Sequence, residues 1–179
     1  VAGTNTGPDV EILTWLDDHS RMALHISAHV RVTGPIVLTA FTDTAGQHGY
    51  PASVLTDNGM VYTTRYSGGR GGRNHLEYEL RERNIVQKNS RPNHPTTCGK
   101  VERFQQTMKK WLRRQPLASD LVELQGQLDA FCEFYNYERR HQGIGRVTRS
   151  PGSMPGSSRP LPGHRCHIRH GLQRSTTAL

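Results

Sequence analysis

The feature that most restricts the fold is a pair of apolar segments near the start of the chain, separated by a polar turn. The first, Val10 to Leu16, is a nearly unbroken apolar run, which is typical of a buried strand. In the second, Met22 to Val30, apolar and polar residues alternate, which predicts a strand with one face toward a core. Because residues 17–20 have turn chemistry, we expect the two segments to form an antiparallel hairpin.

Beyond the hairpin, patterns typical of helices and strands alternate. We predict helices over residues 33–49, 76–83, 100–114 and 117–135, strands over 52–55 and 85–88, and a loop over 91–99. The helix that starts at Lys100 has the clearest pattern, with Val101, Phe104, Met108 and Trp111 in one stripe. A hairpin followed by alternating strands and helices predicts an α/β fold, with a mixed sheet flanked by helices.

The formal net charge of +8 is unevenly distributed along the 179 residues. Residues 57–114 carry 13 basic and 5 acidic groups, and residues 149–179 carry 5 basic and no acidic groups. The remaining two parts of the chain have a net negative charge. A basic block favours a polyanionic partner, and nucleic acid is the first candidate.

Cysteine content and hydropathy exclude two classes of protein. Three widely spaced cysteines do not make a disulfide scaffold, so we expect a reducing, cytoplasmic location. No run approaches the roughly 18 apolar residues that a membrane span needs, so no membrane partner is expected.

Two acidic residues stand where chemistry is common, although each also has a purely structural interpretation. Asp57 follows a strand, and functional groups collect at such strand ends in α/β sheets, but Asp57-Asn58-Gly59 is also ordinary turn chemistry. Glu102 lies in the first turn of its predicted helix, where a carboxylate also interacts favourably with the helix dipole.

Together, the two carboxylates predict a cation site. If the strand end and the helix lie side by side, Asp57 and Glu102 can converge on Mg²⁺ or Mn²⁺, which prefer oxygen ligands and support phosphodiester chemistry. The surrounding cations would neutralise DNA phosphates; they are Lys88, Arg91, Lys100, Arg103, Lys109 and Lys110.

The segments around these acids resemble a known family. Residues 55–59 (LTDNG) and 91–104 (RPNHPTTCGKVERF) are similar to the second and third acidic motifs of DDE transposases, the retroviral-integrase-type catalytic core of bacterial insertion sequences. The resemblance covers Asp9 to Thr148 and implies an RNase H-like fold with metal-dependent DNA strand transfer. It also implies that Asp57 and Glu102 are catalytic metal ligands and that Lys109 contacts DNA.

Two departures from the family pattern set further expectations. The family's first catalytic Asp lies on a strand before the hairpin, and residues 1–8 contain neither an acid nor a strand pattern. We therefore expect the first core strand and one of three carboxylates to be missing from an N-terminally truncated domain. Residues 149–179 lack acidic residues and are rich in Arg, Pro, Gly and Ser, which predicts a disordered or out-of-frame tail.

The sequence thus favours a fragment of a transposase catalytic core that binds DNA, ancestrally performed metal-dependent strand transfer and is inactive as written. The main alternative is a non-enzymatic DNA-binding fragment, which associates with a full-length transposase or with itself. A pseudogene product without a stable fold and an RNase H-like nuclease are further alternatives.

Overall fold

A computed structural model describes residues 9–64, 72–89, 95–139 and 167–175, and for 95–98 and 167–175 it describes the backbone alone. The strands are β1 (Val10–Asp17), β2 (Ala23–His29), β3 (Ser53–Thr56), β4 (Val86–Asn89) and β5 (His167–Ser175). The helices are α1 (Gly34–His48), α2 (His75–Glu82), α3 (Pro95–Leu112) and α4 (Leu121–Glu133), and α4 continues into a π-helical turn, Phe134–Glu138. No helix in the described ranges is long and apolar enough to span a membrane.

The five strands form one mixed sheet in the order β2-β1-β5-β3-β4. The predicted hairpin is confirmed, because β1 and β2 pair in antiparallel register from Glu11–His29 to Leu16–Ala23. The parallel pairing of β3 with β4 leaves the C-terminal ends of these two strands at the same edge of the sheet. Asp57, which follows β3 directly, therefore lies at that edge.

The composition of β1 is explained by burial on both of its faces. Ile12 and Leu16 pack with α3 and α4 in one core, whereas Leu13 and Trp15 pack with α1, α2 and β3 in a second core. Trp15 meets Phe41 of α1 edge-on, with the ring centroids 5.6 Å apart. An unbroken apolar run is what a strand between two helical layers requires.

The C-terminal part of the chain differs from expectation. Instead of disorder, residues 167–175 form β5, which pairs antiparallel with the whole of β1 and parallel with Ser53–Leu55 of β3. No strand precedes β1 in the described part of the chain, yet β5 occupies the centre of the sheet. The rest of the tail, 149–166 and 176–179, lies outside the described residues.

Helix α3 begins earlier than the sequence predicted. It starts at Pro95, so residues 95–99 are helical although we expected a loop through Gly99. Proline has no amide hydrogen to donate and is favourable in the first turn of a helix, which makes an early start compatible with the sequence. Glu102 therefore lies two turns inside α3 and not in its first turn, which removes the helix-dipole interpretation of this carboxylate.

Candidate functional site

Asp57 lies in a tight turn that begins at the end of β3. Its Oδ1 atom accepts a hydrogen bond of 2.8 Å from the Gly59 amide, and the Gly59 carbonyl accepts from the amides of Tyr62 and Thr63. A Cβ atom on Gly59 would come within 2.9 Å of Asp57 Oδ1, so any other residue here would displace the Asp57 carboxylate. The Asp57 side chain is half-buried, which leaves part of it accessible.

Tyr62 anchors the far side of this turn in the core. The side chain is fully buried against the α1 and α2 layer. Burial raises the pKa of Tyr62 strongly, and the negative charges of Asp57 and Glu11 add to the effect. Because the phenol stays neutral, it contributes packing to the turn and no charge to the candidate site.

Glu102 occupies the solvent-exposed face of α3. The opposite stripe, predicted from the sequence, is confirmed: Val101, Phe104 and Met108 are buried, and Trp111 is half-buried. Packing of this stripe on the sheet and on α4 leaves Glu102 pointing away from the core. Within the described part of the chain, its carboxylate has no hydrogen-bond or ion-pair partner.

The structure places the two acids on elements that both border β5. Helix α3 packs beside β5, and β5 is the direct neighbour of β3, at whose end Asp57 lies. No hydrogen bond joins Asp57 to Glu102, and their joint binding of a cation stays a prediction. Among the described residues, no group of three His, Cys, Asp or Glu side chains is arranged to hold a metal ion.

The predicted phosphate contacts fall into three groups. Arg103, Lys109 and Lys110 are exposed on α3, and Lys88 is exposed on β4. Lys100 forms an ion pair with Asp18 in the turn between β1 and β2, so it is a weaker candidate for contacting DNA. Arg91 lies outside the described residues.

Sequence reasoning missed the residues that hold the Asp57 turn in place. They are Gln87 of β4 and Glu77 of α2, which bind the backbone and hydroxyl groups on either side of the turn. One signal was available, since Asn74 and Glu77 have the three-residue spacing of a helix capping box, and the structure contains that box. The longer-range bonds to residues 56, 62, 63 and 64 have no local pattern.

Comparison with known sequences agrees with the predicted resemblance. Residues 83–148 match the family described as "Integrase core domain". The chain is 25% identical over 138 residues to the insertion element IS476 uncharacterized 39.2 kDa protein of Xanthomonas euvesicatoria, covering 77% of this chain and 37% of that protein. It is 28% identical over 94 residues to the putative integrase ORF3 of Spiroplasma virus SpV1-C74, covering 51% and 26%. The chain thus spans well under half of these relatives.

Solved structures share the fold. A chain of the simian T-cell lymphotropic virus intasome, in complex with the PP2A regulatory subunit B56 gamma, matches with a TM-score of 0.59 at 19% identity, over 84% of this chain and 52% of that chain. The HTLV-2 integrase catalytic core domain in complex with magnesium, in its trimeric form, matches with a TM-score of 0.55 at 17% identity, over 76% and 80%.

These matches confirm the predicted RNase H-like mixed sheet flanked by helices. Of the two segments that resemble acidic motifs, residues 91–104 lie inside the matched range 83–148 and residues 55–59 lie outside it. The family match, the sequence relatives and the shared fold together support a core of the DDE transposase and integrase type.

Proposed function

We propose that this chain is part of a DNA integration or transposition protein, in which α3 binds the DNA backbone and Asp57 and Glu102 bind a divalent cation. The observation that carries the proposal is the exposed face of α3. There, Glu102 shares the surface with Arg103, Lys109 and Lys110, and none of these cations has an acidic partner in the described residues. Unpaired cations on an accessible helix suit contact with phosphates.

The donor set fits Mg²⁺ or Mn²⁺ in chemistry but not in number. Carboxylate oxygens are the ligands that these ions prefer, and the HTLV-2 core was solved with magnesium. When bound, a pair of such ions would activate a water or a 3′-hydroxyl and would stabilise the leaving oxygen of a phosphodiester. Because only two suitable acids are found in the described part, we expect weak cation binding and little or no strand transfer.

The site residues have separate tasks in this proposal. The Asp57 turn fixes one carboxylate at the sheet edge, and the buried stripe of α3 fixes the rotation of the helix and hence the exposed position of Glu102. Lys109 and Lys110, about two turns beyond Glu102, would hold the DNA backbone along the helix.

The test of DNA binding is its salt dependence. Each phosphate contact contributes about 0.9 to the slope of log affinity against log salt concentration. Replacing Lys109 and Lys110 together by Gln should lower the slope by up to about 1.8, measured by fluorescence anisotropy on duplex DNA. Arg31→Gln is the matched control, since Arg31 is exposed on the connection between β2 and α1. Equal slopes for the wild-type protein and the Lys109/Lys110 variant would refute the α3 interface.

A non-enzymatic DNA-binding module is the second candidate function. It is favoured by the lack of a third suitably placed acid in the described residues, and such a module would act by associating with a full-length transposase or with itself. The HTLV-2 core was solved in dimeric and trimeric forms. Nicking of DNA with Mg²⁺ or Mn²⁺ that disappears in Asp57→Ala would exclude this candidate. DNA binding that survives Asp57→Ala and Glu102→Ala, without nicking, would support it.

A further inference from the structure

One amide side chain closes the Asp57 turn at its base. Gln87 Nε2 donates to the Tyr62 carbonyl at 2.8 Å and to Thr56 Oγ1 at 3.3 Å. Thr56 directly precedes Asp57 and Tyr62 ends the tight part of the turn, so the same amide holds both sides of it. Gln87 is half-buried and lies on β4, so its bonds attach the Asp57 turn to the sheet.

A carboxylate on α2 holds the segment that follows. Glu77 accepts four hydrogen bonds, from Thr63 Oγ1 at 2.8 Å, the Thr64 amide at 3.2 Å, Thr64 Oγ1 at 3.0 Å and the Asn74 amide at 2.9 Å. Partial burial acts to raise the pKa of Glu77, but the bonds from Asn74, Thr63 and Thr64 hold this pKa below its ordinary value. The side chain is therefore ionised when it binds these donors at neutral pH.

Capping of α2 accounts for only one of these four bonds. The bond from the Asn74 amide belongs to the capping box, whereas the other three come from Thr63 and Thr64. Those residues lie more than ten positions before Glu77 in the sequence, so their bonds fix the relative position of two separate segments. A carboxylate that served the helix alone would need only the Asn74 bond.

The bonds continue from Glu77 to Asp57 without a gap. Thr63 donates its hydroxyl to Glu77 and its amide to the Gly59 carbonyl, the latter at 3.1 Å. Gly59 in turn donates its amide to Asp57 Oδ1 at 2.8 Å. We infer that Glu77 is a positioning residue, which sets the direction of the Asp57 carboxylate through Thr63 and Gly59. The inference rests on the proposed role of Asp57 as a cation ligand.

The experiment compares Glu77→Gln with Glu82→Gln in the full chain. Glu82 is an exposed glutamate on the same helix, so it controls for the loss of one negative charge. Two quantities are measured at a temperature where all variants are folded: the hydrogen-exchange rate of the Gly59 amide without metal, by NMR, and the affinity for Mn²⁺, by calorimetry. Asp57→Asn defines which part of the Mn²⁺ affinity belongs to Asp57.

In Glu77→Gln, a donor amide replaces one acceptor oxygen and faces backbone amides that are also donors. We expect Gly59 exchange to accelerate by about tenfold or more and the Asp57-dependent Mn²⁺ affinity to fall severalfold, with Glu82→Gln unchanged. Thr63→Val, which removes one hydroxyl and leaves the helix cap intact, should change both quantities in the same direction. This variant decides the question if Glu77→Gln does not fold.

Two negative outcomes are distinguishable. If Glu77→Gln and Thr63→Val leave both quantities at wild-type values, then Glu77 only caps α2 and the inference is wrong. If the wild-type protein binds no Mn²⁺ through Asp57, then the proposed cation site is wrong. In that case the Gly59 exchange rate still shows whether Glu77 positions the turn.

Discussion

At the scale of single residues, the turn at Asp57 shows which information is local. Asp57, Asn58 and Gly59 predict a turn from residue type alone. The direction of the Asp57 carboxylate depends on the Gly59 amide and on the buried Tyr62, and these in turn depend on contacts with α2 and β4. Such contacts join positions far apart in sequence, which is why sequence analysis found the acid and not the residues that hold it.

His25 shows how alternation along a strand reveals a face but not its degree of burial. The alternation in the sequence places His25 and His29 on the polar side of β2, the side that faces solvent in a half-buried strand. Instead, both are half-buried, and Ser27 Oγ lies 2.9 Å from His25 Nε2 and 2.8 Å from His29 Nε2. Burial lowers the pKa of His25, and His29 lowers it further, while Asp43 of α1 and Asp129 of α4 act to raise it.

This lowered pKa predicts acid sensitivity. Folding disfavours the charged imidazole, so below the ordinary histidine pKa of 6.5 the unfolded chain binds more protons than the folded chain. The free energy of unfolding therefore falls as the pH drops through that value. Replacing His25 by Gln should reduce the loss of stability between about pH 7 and pH 5. Urea unfolding at several pH values measures the effect, with His75→Gln, at an exposed histidine, as the control. Parallel pH profiles for the wild-type protein and His25→Gln would contradict this prediction.

At the scale of secondary-structure elements, hydrophobic spacing predicted α3 and α4, and the same spacing explains which faces of them are buried. Leu124, Leu128, Phe131 and Tyr135 are buried as their spacing of four and three residues indicates. The start of α3 at Pro95 was missed because residues 95–99 lack an apolar stripe of their own. Boundaries are thus less predictable than faces, since a helix end depends on backbone partners and a face depends on periodic burial.

The outer edge of β2 is closed by amide side chains from the α4 region. Asn136 accepts from the Ala23 amide and donates to the Ala23 carbonyl, both at 2.9 Å. Gln125 accepts from the Ala28 amide at 2.9 Å and donates to the Ile26 carbonyl at 3.1 Å. An open strand edge is a template for pairing with another chain, so these amides both attach α4 and block such pairing.

Asn136→Ala tests this closure. The substitution leaves the buried Ala23 amide without its Asn136 partner, and the Ala23 carbonyl loses the hydrogen bond from Asn136. An unsatisfied buried group costs about 1–3 kcal/mol. We expect the free energy of unfolding to fall by roughly 2–3 kcal/mol in denaturant titration. Gln127→Ala is the control. The Gln127 side-chain amide donates to the carbonyl of the exposed Pro116, and loss of this bond should cost under about 1 kcal/mol. A similarly small loss of unfolding free energy in both variants would show that the Asn136 bonds do not stabilise the edge of β2.

At the scale of the whole molecule, β5 joins two halves of the sheet. The hairpin β1–β2 lies on one side of it and the pair β3–β4 on the other, with no direct pairing between the halves in the described residues. The positions of β1 to β4 along the chain were predictable from local patterns. By contrast, residues 167–175 (HIRHGLQRS) contain only two large apolar residues, so their local pattern gives no strand signal.

The position of β5 predicts the effect of removing it. A chain that ends at Cys166 would leave the β5-facing backbone groups of β1 and β3 unpaired, and unpaired groups along a strand destabilise a sheet. We expect this chain to unfold at a much lower urea concentration, with a smaller dependence on urea because less surface is buried in its folded state. The fluorescence of Trp15, which is buried in β1, and far-ultraviolet circular dichroism both report the transition. A chain that ends at Ser175 keeps β5 and should unfold like the full chain. If the chain ending at Cys166 also does so, then residues 167–175 do not contribute to the stability of the sheet.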